Sequence, residues 1–354
     1  MPKRKDWDFT FKDTNIILKK STARVRVHIA GDKIEDSNRF IHIPEEWSRE
    51  YTNQKTIYQS IENFCSMFQI FVFLAGIVGA IIYRSKFPYK RTLLMKLFGF
   101  LLIIQLLAEL NTLPGSIAQF STDEPFWNQF FTSTAEAVAS SLGSSLIFAY
   151  IIIFIFQWKK SSVSFSGKRG ISVGVAVGLW AAIIPAITAQ ILSPKLPFWA
   201  KFDPADTFMP MLGSMLSSIR PYLMQTIIAL LILIAIDRWS LHWSRNKISA
   251  AVIFIVVGIL FSGDKPSESI PEWILLGILN GIFLLASYYF VFRCNMALVP
   301  IAIAGIYILQ LLHQGILQAY PFAFATSIIA IFFLGIFSYF WSKELSNPFI
   351  AVEK

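Results

Sequence analysis

Four polar residues inside apolar stretches of this sequence are its strongest candidates for chemistry. Glu109 and Asn111 lie near the end of the second stretch, Glu136 near the start of the third, and Arg220 interrupts the fifth. Charges within a membrane are costly and point to function by default, so the two carboxylates could bind a cation or relay protons, with Arg220 as counter-ion. Both carboxylates are also close enough to a stretch end to be wetted, and Pro221 indicates a helix break beside Arg220. We favour this second interpretation.

Other signs of catalytic or metal chemistry are weak. The sequence contains no Gly-x-x-x-x-Gly-Lys-Ser/Thr phosphate loop and no His-Glu-x-x-His zinc helix. Cys65 and Cys294 lie far apart in predicted depth and lack metal-ligand spacing. Asp237 and Arg238 follow the fifth stretch, where we expect both to be solvated. We therefore expect no catalytic residue, no cofactor and no bound metal.

A long helical bundle must position these residues. Hydrophobic residues make up 55% of the chain and charged residues 15%, below the roughly 25% charged residues of a soluble domain. A bilayer core takes roughly 20 apolar residues as a helix. We predict an all-α polytopic membrane protein with about eight to nine transmembrane helices over residues 63–354. The hydrophobic stretches are 64–83, 93–112, 134–157, 171–192, 209–236, 248–262, 274–292, 297–316 and 321–341.

Basic residues alternate between the connecting loops. Lys and Arg concentrate after the odd-numbered stretches and in the C-terminal tail, whereas the loops after the even-numbered ones contain only Lys195, Lys201 and Lys265. The positive-inside rule then places the C-terminus in the cytoplasm and residues 1–62 outside. It also explains the net charge of +9 without a nucleic-acid partner. Because this polar head cannot be exported unaided, we expect either a further upstream segment or a miscounted stretch.

The head carries a strand pattern. Residues 24–29 alternate polar and apolar side chains, and Gly31-Asp32 is a turn signal before residues 39–43. With residues 8–11 they predict three short strands, so that residues 1–62 form a small β-containing segment outside the membrane.

Glycines at four-residue spacing predict close packing of two of the helices. Gly170, Gly174 and Gly178 follow this spacing at the fourth stretch, and Gly277 and Gly281 do so in the seventh. Small residues at this spacing allow membrane helices to approach closely, so we expect both faces to contact neighbouring helices.

Several segments, in their order along the chain, are similar to a known family. They are residues 7–11, 23–27, 30–32, 40–49, 110–114 and 258–262, followed by Pro271-Glu272 and the spacing of Gly277 and Gly281. Together they resemble the long form of the CPBP family (CAAX protease and bacteriocin processing), in which an extracytoplasmic domain precedes the membrane bundle. The resemblance implies a protease-like bundle in a bacterial inner membrane.

The sequence departs from this family at the reactive positions. The resemblance implies a Glu-Glu-x-x-x-Arg motif and two separate histidines, yet the only Glu-Glu pair is at residues 45–46, with Arg49 one position too early. Residues 217–224, where the resemblance implies the glutamates, contain none. Phe261 or a neighbouring residue stands at the place of the first histidine, and residues 301–312, the general place of the second, contain no histidine. Peptide hydrolysis by that mechanism therefore lacks its base and its other reactive groups.

These observations predict a non-catalytic, pseudoprotease-like membrane protein that acts as a scaffold or accessory subunit. Its expected partners are the lipid bilayer and other membrane-protein subunits. Two alternatives stay open. One is a transporter or permease that uses Glu109, Glu136 and Arg220, and the other is an active intramembrane peptidase with an unrecognised site.

Overall fold

A small sheet and a set of long helices make up the chain. The structure is a computed structural model that describes residues 5–18, 21–83, 91–158, 167–192, 206–263, 270–318 and 320–346. The chain divides into two compact units, Met1–Asn63 and Phe64–Lys354. The first unit contains the sheet and the second contains the helical bundle.

Three antiparallel strands form the sheet in the order in which they follow along the chain. Their bounds are β1 (Asp6–Ile17), β2 (Thr22–Ala30) and β3 (Lys33–His42). Gly31 adopts φ 68° in the turn between β2 and β3, a conformation that glycine enters without a Cβ clash. The predicted sheet is confirmed, and its strands are longer than the alternating pattern indicated.

The sheet has one aromatic face. Trp7, Phe9 and Phe11 lie at alternate positions of β1, and neighbouring rings stack with centroids 6.3 Å apart. The register pairs Phe9 with Val27 and Phe11 with Val25, which extends the apolar surface onto β2. Successive side chains of a strand point to opposite faces. Asp8 and Thr10, which alternate with the aromatic residues of β1, therefore lie on the other, polar face.

A histidine and two carboxylates meet on the polar face. His28 Nδ1 lies 3.0 Å from Asp8 Oδ1, and His28 Nε2 lies 3.3 Å from Glu35 Oε2. The hydrogen bond to Asp8, with the negative charges of Asp8, Glu35 and Asp6, raises the pKa of His28 above its usual 6.5, although partial desolvation opposes the shift. Two strands on either side of β2 are thus joined through one imidazole.

The predicted hydrophobic stretches are all helical. A π-helical turn, Tyr288–Phe292, extends α8, and a 3₁₀ turn, Met296–Leu298, precedes α9. The helices are α1 (Glu45–Tyr83), α2 (Arg91–Ala118), α3 (Phe126–Trp158), α4 (Gly167–Leu192), α5 (Pro210–Ser217), α6 (Ile219–Trp239), α7 (Lys247–Ser262), α8 (Ile270–Ser287), α9 (Val299–Leu317) and α10 (Ala323–Ser346).

Within the described residues, seven helices are long and apolar enough to cross a membrane, with α5 and α6 counted together. Two apolar helices are shorter: α4 between Arg169 and Ile184, and α7. The 16 residues of α7 rise about 24 Å, less than the roughly 30 Å of a bilayer core. The polytopic helical class is confirmed, and the number of crossings stays a prediction.

The fifth stretch is interrupted once. Helix α5 ends at Ser217 and α6 begins at Ile219, with Ser218 between them still in a right-handed conformation. Pro221 has no N–H to donate to the carbonyl of Ser217, one turn earlier, which weakens the helix at this point. Arg220 lies beside the interruption and is exposed.

Helices α7 and α8 meet at backbone distance. A Cβ added to Gly277 would lie 2.5 Å from the Cα of Ile259, and one added to Gly281 would lie 2.6 Å from the Cα of Ile255. On the facing helix, a Cβ on Gly258 would overlap the backbone nitrogen of Gly281. Glycine is therefore required on both sides of this contact.

A second close contact joins α4 to α9. A Cβ on Gly178 would overlap the carbonyl oxygen of Ala302 and would lie 2.8 Å from the Cα of Gly305. A Cβ on Gly174 would lie 2.9 Å from Cγ2 of Ile301, and Gly170 is buried one turn earlier. The glycines of α4 and α8 singled out in the sequence thus face α9 and α7.

Replacing Gly258 with alanine tests the α7–α8 contact. We expect Gly258→Ala to destabilise the purified protein by about 1–3 kcal/mol, since the added methyl group meets backbone that cannot move aside locally. Gly335→Ala in α10 is the matched control, because nothing lies within 4 Å of its added Cβ and alanine favours a helix by about 1 kcal/mol. Unfolding in mild detergent measures both, and equal stability of the two variants would contradict the contact.

Candidate functional site

Asn111 holds the chain that leads into α5. It is buried, and its side-chain Nδ2 donates to the carbonyl of Met209 at 3.2 Å, while its Oδ1 accepts from the N–H of Met209 at 2.9 Å. Its own carbonyl accepts from the N–H of Phe208 at 3.0 Å. The side-chain amide thus pairs with both backbone polar groups of Met209. The structure places Asn111 in a structural contact between α2 and the start of α5.

The three charged candidates do not form an ionic site. Glu109 is half-buried, whereas Glu136 and Arg220 are exposed. Each of the three lies in the described part of the chain, and no ion pair joins any two of them. A counter-ion role for Arg220 toward either glutamate therefore has no contact to support it.

A different set of helices lines a large, partly open cavity. Its volume is about 640 Å³, within the roughly 300–1,000 Å³ of pockets that hold small molecules. The lining comes from α4, α6, α7, α8 and α9, together with the π-helical turn. Phe254, Phe261, Phe283 and Phe292 are its aromatic residues. This cavity is the candidate functional site.

A few polar side chains interrupt the apolar lining. The Asn280 amide nitrogen donates to Ser262 Oγ at 2.9 Å, and Ser262 in turn donates to the carbonyl of Gly258 at 2.8 Å. Gln225 and Gln310 make no side-chain hydrogen bond to another described residue. Free carboxamides in an apolar cavity can both donate to and accept from a ligand.

The cavity lining is poor in ionisable groups. Among the described residues that form it, none is Asp, Glu, Lys, Arg or Cys, and His313 alone has an ionisable side chain. Phe261 and Gln310 both lie in this lining. The sequence signal for the site was present, because Gln225, Asn280 and Gln310 are polar residues within hydrophobic stretches.

Residues 170–174 have the spacing Gly-x-Ser-x-Gly. The same spacing forms the nucleophile elbow of α/β-hydrolases, where the serine sits on a sharp turn from a strand to a helix. Here all five residues lie within α4. The context that exposes a nucleophilic serine is therefore missing.

Asp237 is buried, so the prediction that it is a solvated helix end is wrong. Its Oδ1 accepts a hydrogen bond from the Tyr288 hydroxyl at 2.6 Å, and its Oδ2 lies 2.7 Å from Nδ1 of His242. The expectation fails because Asp237 faces the π-helical turn after α8, a neighbour that the order of residues does not reveal. Arg238, the next residue, is exposed as expected, and its guanidinium lies over the ring of Trp158.

A strained turn after α6 brings His242 to the carboxylate of Asp237. Leu241, His242 and Trp243 have φ values of 49°, 56° and 65°, in the left-handed region. Each such residue costs about 1–2 kcal/mol when it is not glycine. The Trp243 ring lies 5.9 Å from the rings of both Tyr288 and Tyr289, and this packing with the bond to Asp237 offsets the cost.

The Asp237–Tyr288 pair lies next to one end of the cavity. The Tyr288 ring is fully buried, with its centroid 5.1 Å from that of Phe254, which lines the cavity. The N–H of Arg293 bonds to the carbonyl of Tyr288 at 2.8 Å, closing the wide π-helical turn. π-Helical turns are rare and are frequent at functional sites.

Fold and cavity together define a polytopic helical membrane protein with a mostly apolar internal site. No protein-family model, curated protein or solved structure matches the chain.

Removing the Tyr288 hydroxyl tests the Asp237 contact. We expect Tyr288→Phe to destabilise the protein by about 1.5–3 kcal/mol, because the buried carboxylate of Asp237 loses its hydrogen bond to the tyrosine hydroxyl. Tyr289→Phe is the matched control, since Tyr289 is the neighbouring tyrosine and is exposed. Thermal unfolding of both variants in the same detergent measures the difference, and a Tyr288→Phe protein as stable as Tyr289→Phe would refute the contact.

Proposed function

We propose that this chain is a non-catalytic membrane protein that binds an apolar ligand or partner segment in the cavity and serves as a scaffold or accessory subunit. The observation that carries the proposal is the cavity of about 640 Å³, with apolar walls and unpaired carboxamides. Such a lining favours binding by burial of apolar surface, and the few polar groups orient what is bound.

The polar groups of the cavity also support the non-catalytic part of the proposal. General acid–base catalysis needs a side chain that exchanges a proton in reach of the substrate. Gln225, Asn280 and Gln310 have amide groups, which do not do this at physiological pH, and His313 is the one described lining residue whose side chain can. We further propose that the bundle is that of a CPBP-like protease without its reactive residues.

The alternatives have less support. A transport site built on Glu109, Glu136 and Arg220 lacks the ion pairs that would hold such charges together. A peptidase with an unrecognised site would need a nucleophile and a base in contact, and among the described lining residues the cavity offers His313 as the one ionisable group.

The apolar molecules that co-purify with the protein test the binding function. Ala229 lines the cavity from α6, and Ala235 lies two turns further along the same helix but is exposed. We expect Ala229→Trp to fill the cavity and to lose most of the apolar molecules that co-purify with the wild-type protein. Ala235→Trp should retain them, and mass spectrometry of organic extracts measures both. Equal amounts in the two variants would show that the cavity is not the binding site.

We propose the topology that the basic loops favour: nine crossings of a bacterial inner membrane, with the C-terminus in the cytoplasm and the head outside. In intact cells, a membrane-impermeant maleimide should then label a cysteine introduced at the exposed Ser37 of β3. The native Cys294, exposed after α8, is the internal control and should react only after the membrane is permeabilised. Labelling of Cys294 alone in intact cells would reverse the orientation.

A further inference from the structure

The sheet of the first unit has one long, regular free edge. Strand β2 lies in the middle, so β1 and β3 each keep one edge that no strand of the sheet pairs. β1 pairs with β2 in unbroken register from Asp6 to Lys12, and all residues of this segment are exposed. In β3 the register shifts between Ile34 and Asp36, which leaves Glu35 as a bulge. A bulge protects an edge against pairing with another chain, and this segment of β1 has none.

The backbone groups of β1 point to the free edge at alternate residues. The N–H of Gly31 donates to the carbonyl of Lys5 at 3.2 Å, so these two residues form a hydrogen-bonded pair of the β1–β2 ladder. Because such pairs alternate along antiparallel strands, Trp7, Phe9 and Phe11 bond to β2. The N–H and C=O groups of the residues between them therefore face the free edge. These residues are Asp6, Asp8, Thr10 and Lys12.

The segment from Asp6 to Lys12 is complementary to itself about its central residue, Phe9. When two copies of β1 lie antiparallel with Phe9 opposite Phe9, every residue of the segment has a partner in the other copy. Trp7 of one copy then faces Phe11 of the other, on the aromatic face of the sheet. At each end a carboxylate of Asp6 faces an ammonium group of Lys12. Aromatic pairs and opposite charges on directly opposite residues both stabilise antiparallel strands.

The hydrogen-bonding pattern fits the same register. Asp6 then faces Lys12, and Asp8 faces Thr10, so residues whose backbone groups point outward meet one another and can exchange both hydrogen bonds. The aromatic residues fall at the non-hydrogen-bonded positions, where opposite side chains are closest. Centring the pair on Thr10 instead would place Trp7 opposite Asp13 and would shorten the regular overlap.

We propose that two copies of this chain dimerise through β1, antiparallel about Phe9, and join their three-stranded sheets into one continuous sheet. The partner is a second copy because the charge order of the segment, acidic at Asp6 and basic at Lys12, complements itself when reversed. The rows of aromatic side chains from the two copies then form one apolar surface. This interface uses residues of the first unit alone, and it goes beyond the proposed binding of a ligand in the cavity.

Cysteine cross-linking of the full chain in membranes tests the register. In a Cys294→Ser background, Phe9→Cys places two thiols at a non-hydrogen-bonded pair, whose Cα separation of about 4.5 Å lies within the range of disulfides. We expect copper-phenanthroline to convert most of this variant into a covalent dimer. Ser37→Cys is the matched control, because Ser37 lies in line with Phe9 across Val27 but on the other edge. Five strand spacings, about 24 Å, would separate its two copies, so it should stay monomeric.

Exchange of charges tests the ion pairs. Energy transfer between donor-tagged and acceptor-tagged full chains is measured in phosphatidylcholine liposomes over a range of protein-to-lipid ratios. We expect Asp6→Lys to raise the ratio for half-maximal transfer about 10-fold, since lysine then faces lysine at both ends of the segment. Adding Lys12→Asp restores opposite charges and should return the ratio to within about 2-fold of the wild type. Asp32→Lys makes the same change at the exposed turn between β2 and β3 and should have no effect.

The outcomes distinguish this interface from other modes of association. A covalent dimer through Ser37→Cys in place of Phe9→Cys would put the contact at β3 and overturn the proposal. A wild-type protein with no more energy transfer than Asp6→Lys would overturn it, and so would a double variant that associates as weakly as Asp6→Lys. Dimers of the Phe9→Cys protein together with recovery of transfer in the double variant would establish both the strand and its register.

Discussion

Close approach of helix backbones is the constraint on which the rest of the bundle depends. Lipid does not drive apolar helices together as water does, so their association rests on van der Waals contact at short distance. Gly178 facing Ala302, and Gly258 facing Gly281, allow that distance in two separate helix pairs. Because those four helices also line the cavity with α6, the glycine contacts set the spacing of its walls.

Polar groups inside the bundle fall into two kinds, and hydrogen bonding separates them. Asn111 and Asp237 are buried and paired with groups of the protein, so each fixes one segment against another. Gln225 and Gln310 face the cavity without partners among the described residues. Gln225 is half-buried and Gln310 is exposed, so both carboxamides are open to the donors and acceptors of a ligand.

The most strained part of the described bundle lies beside this cavity, at the C-terminal end of α6. The left-handed turn at residues 241–243 and the π-helical turn are both unfavourable locally, and Trp243, Tyr288 and Asp237 connect them. Strain of this kind persists only where surrounding contacts outweigh it. Those contacts hold Tyr288 against Phe254, an aromatic residue of the cavity lining.

The sequence by itself determined which segments are helices and which are strands, because hydrophobic length and alternation are local properties of a chain. It also located the interruption near Pro221 and the glycines at Gly178 and Gly281. It did not determine which polar residues meet. Asp237 had every sign of a solvated helix end, yet the fold buries it against Tyr288. Position along a helix predicts depth in a membrane, but the neighbour that a side chain faces depends on how all the helices pack, and only the tertiary structure decides that.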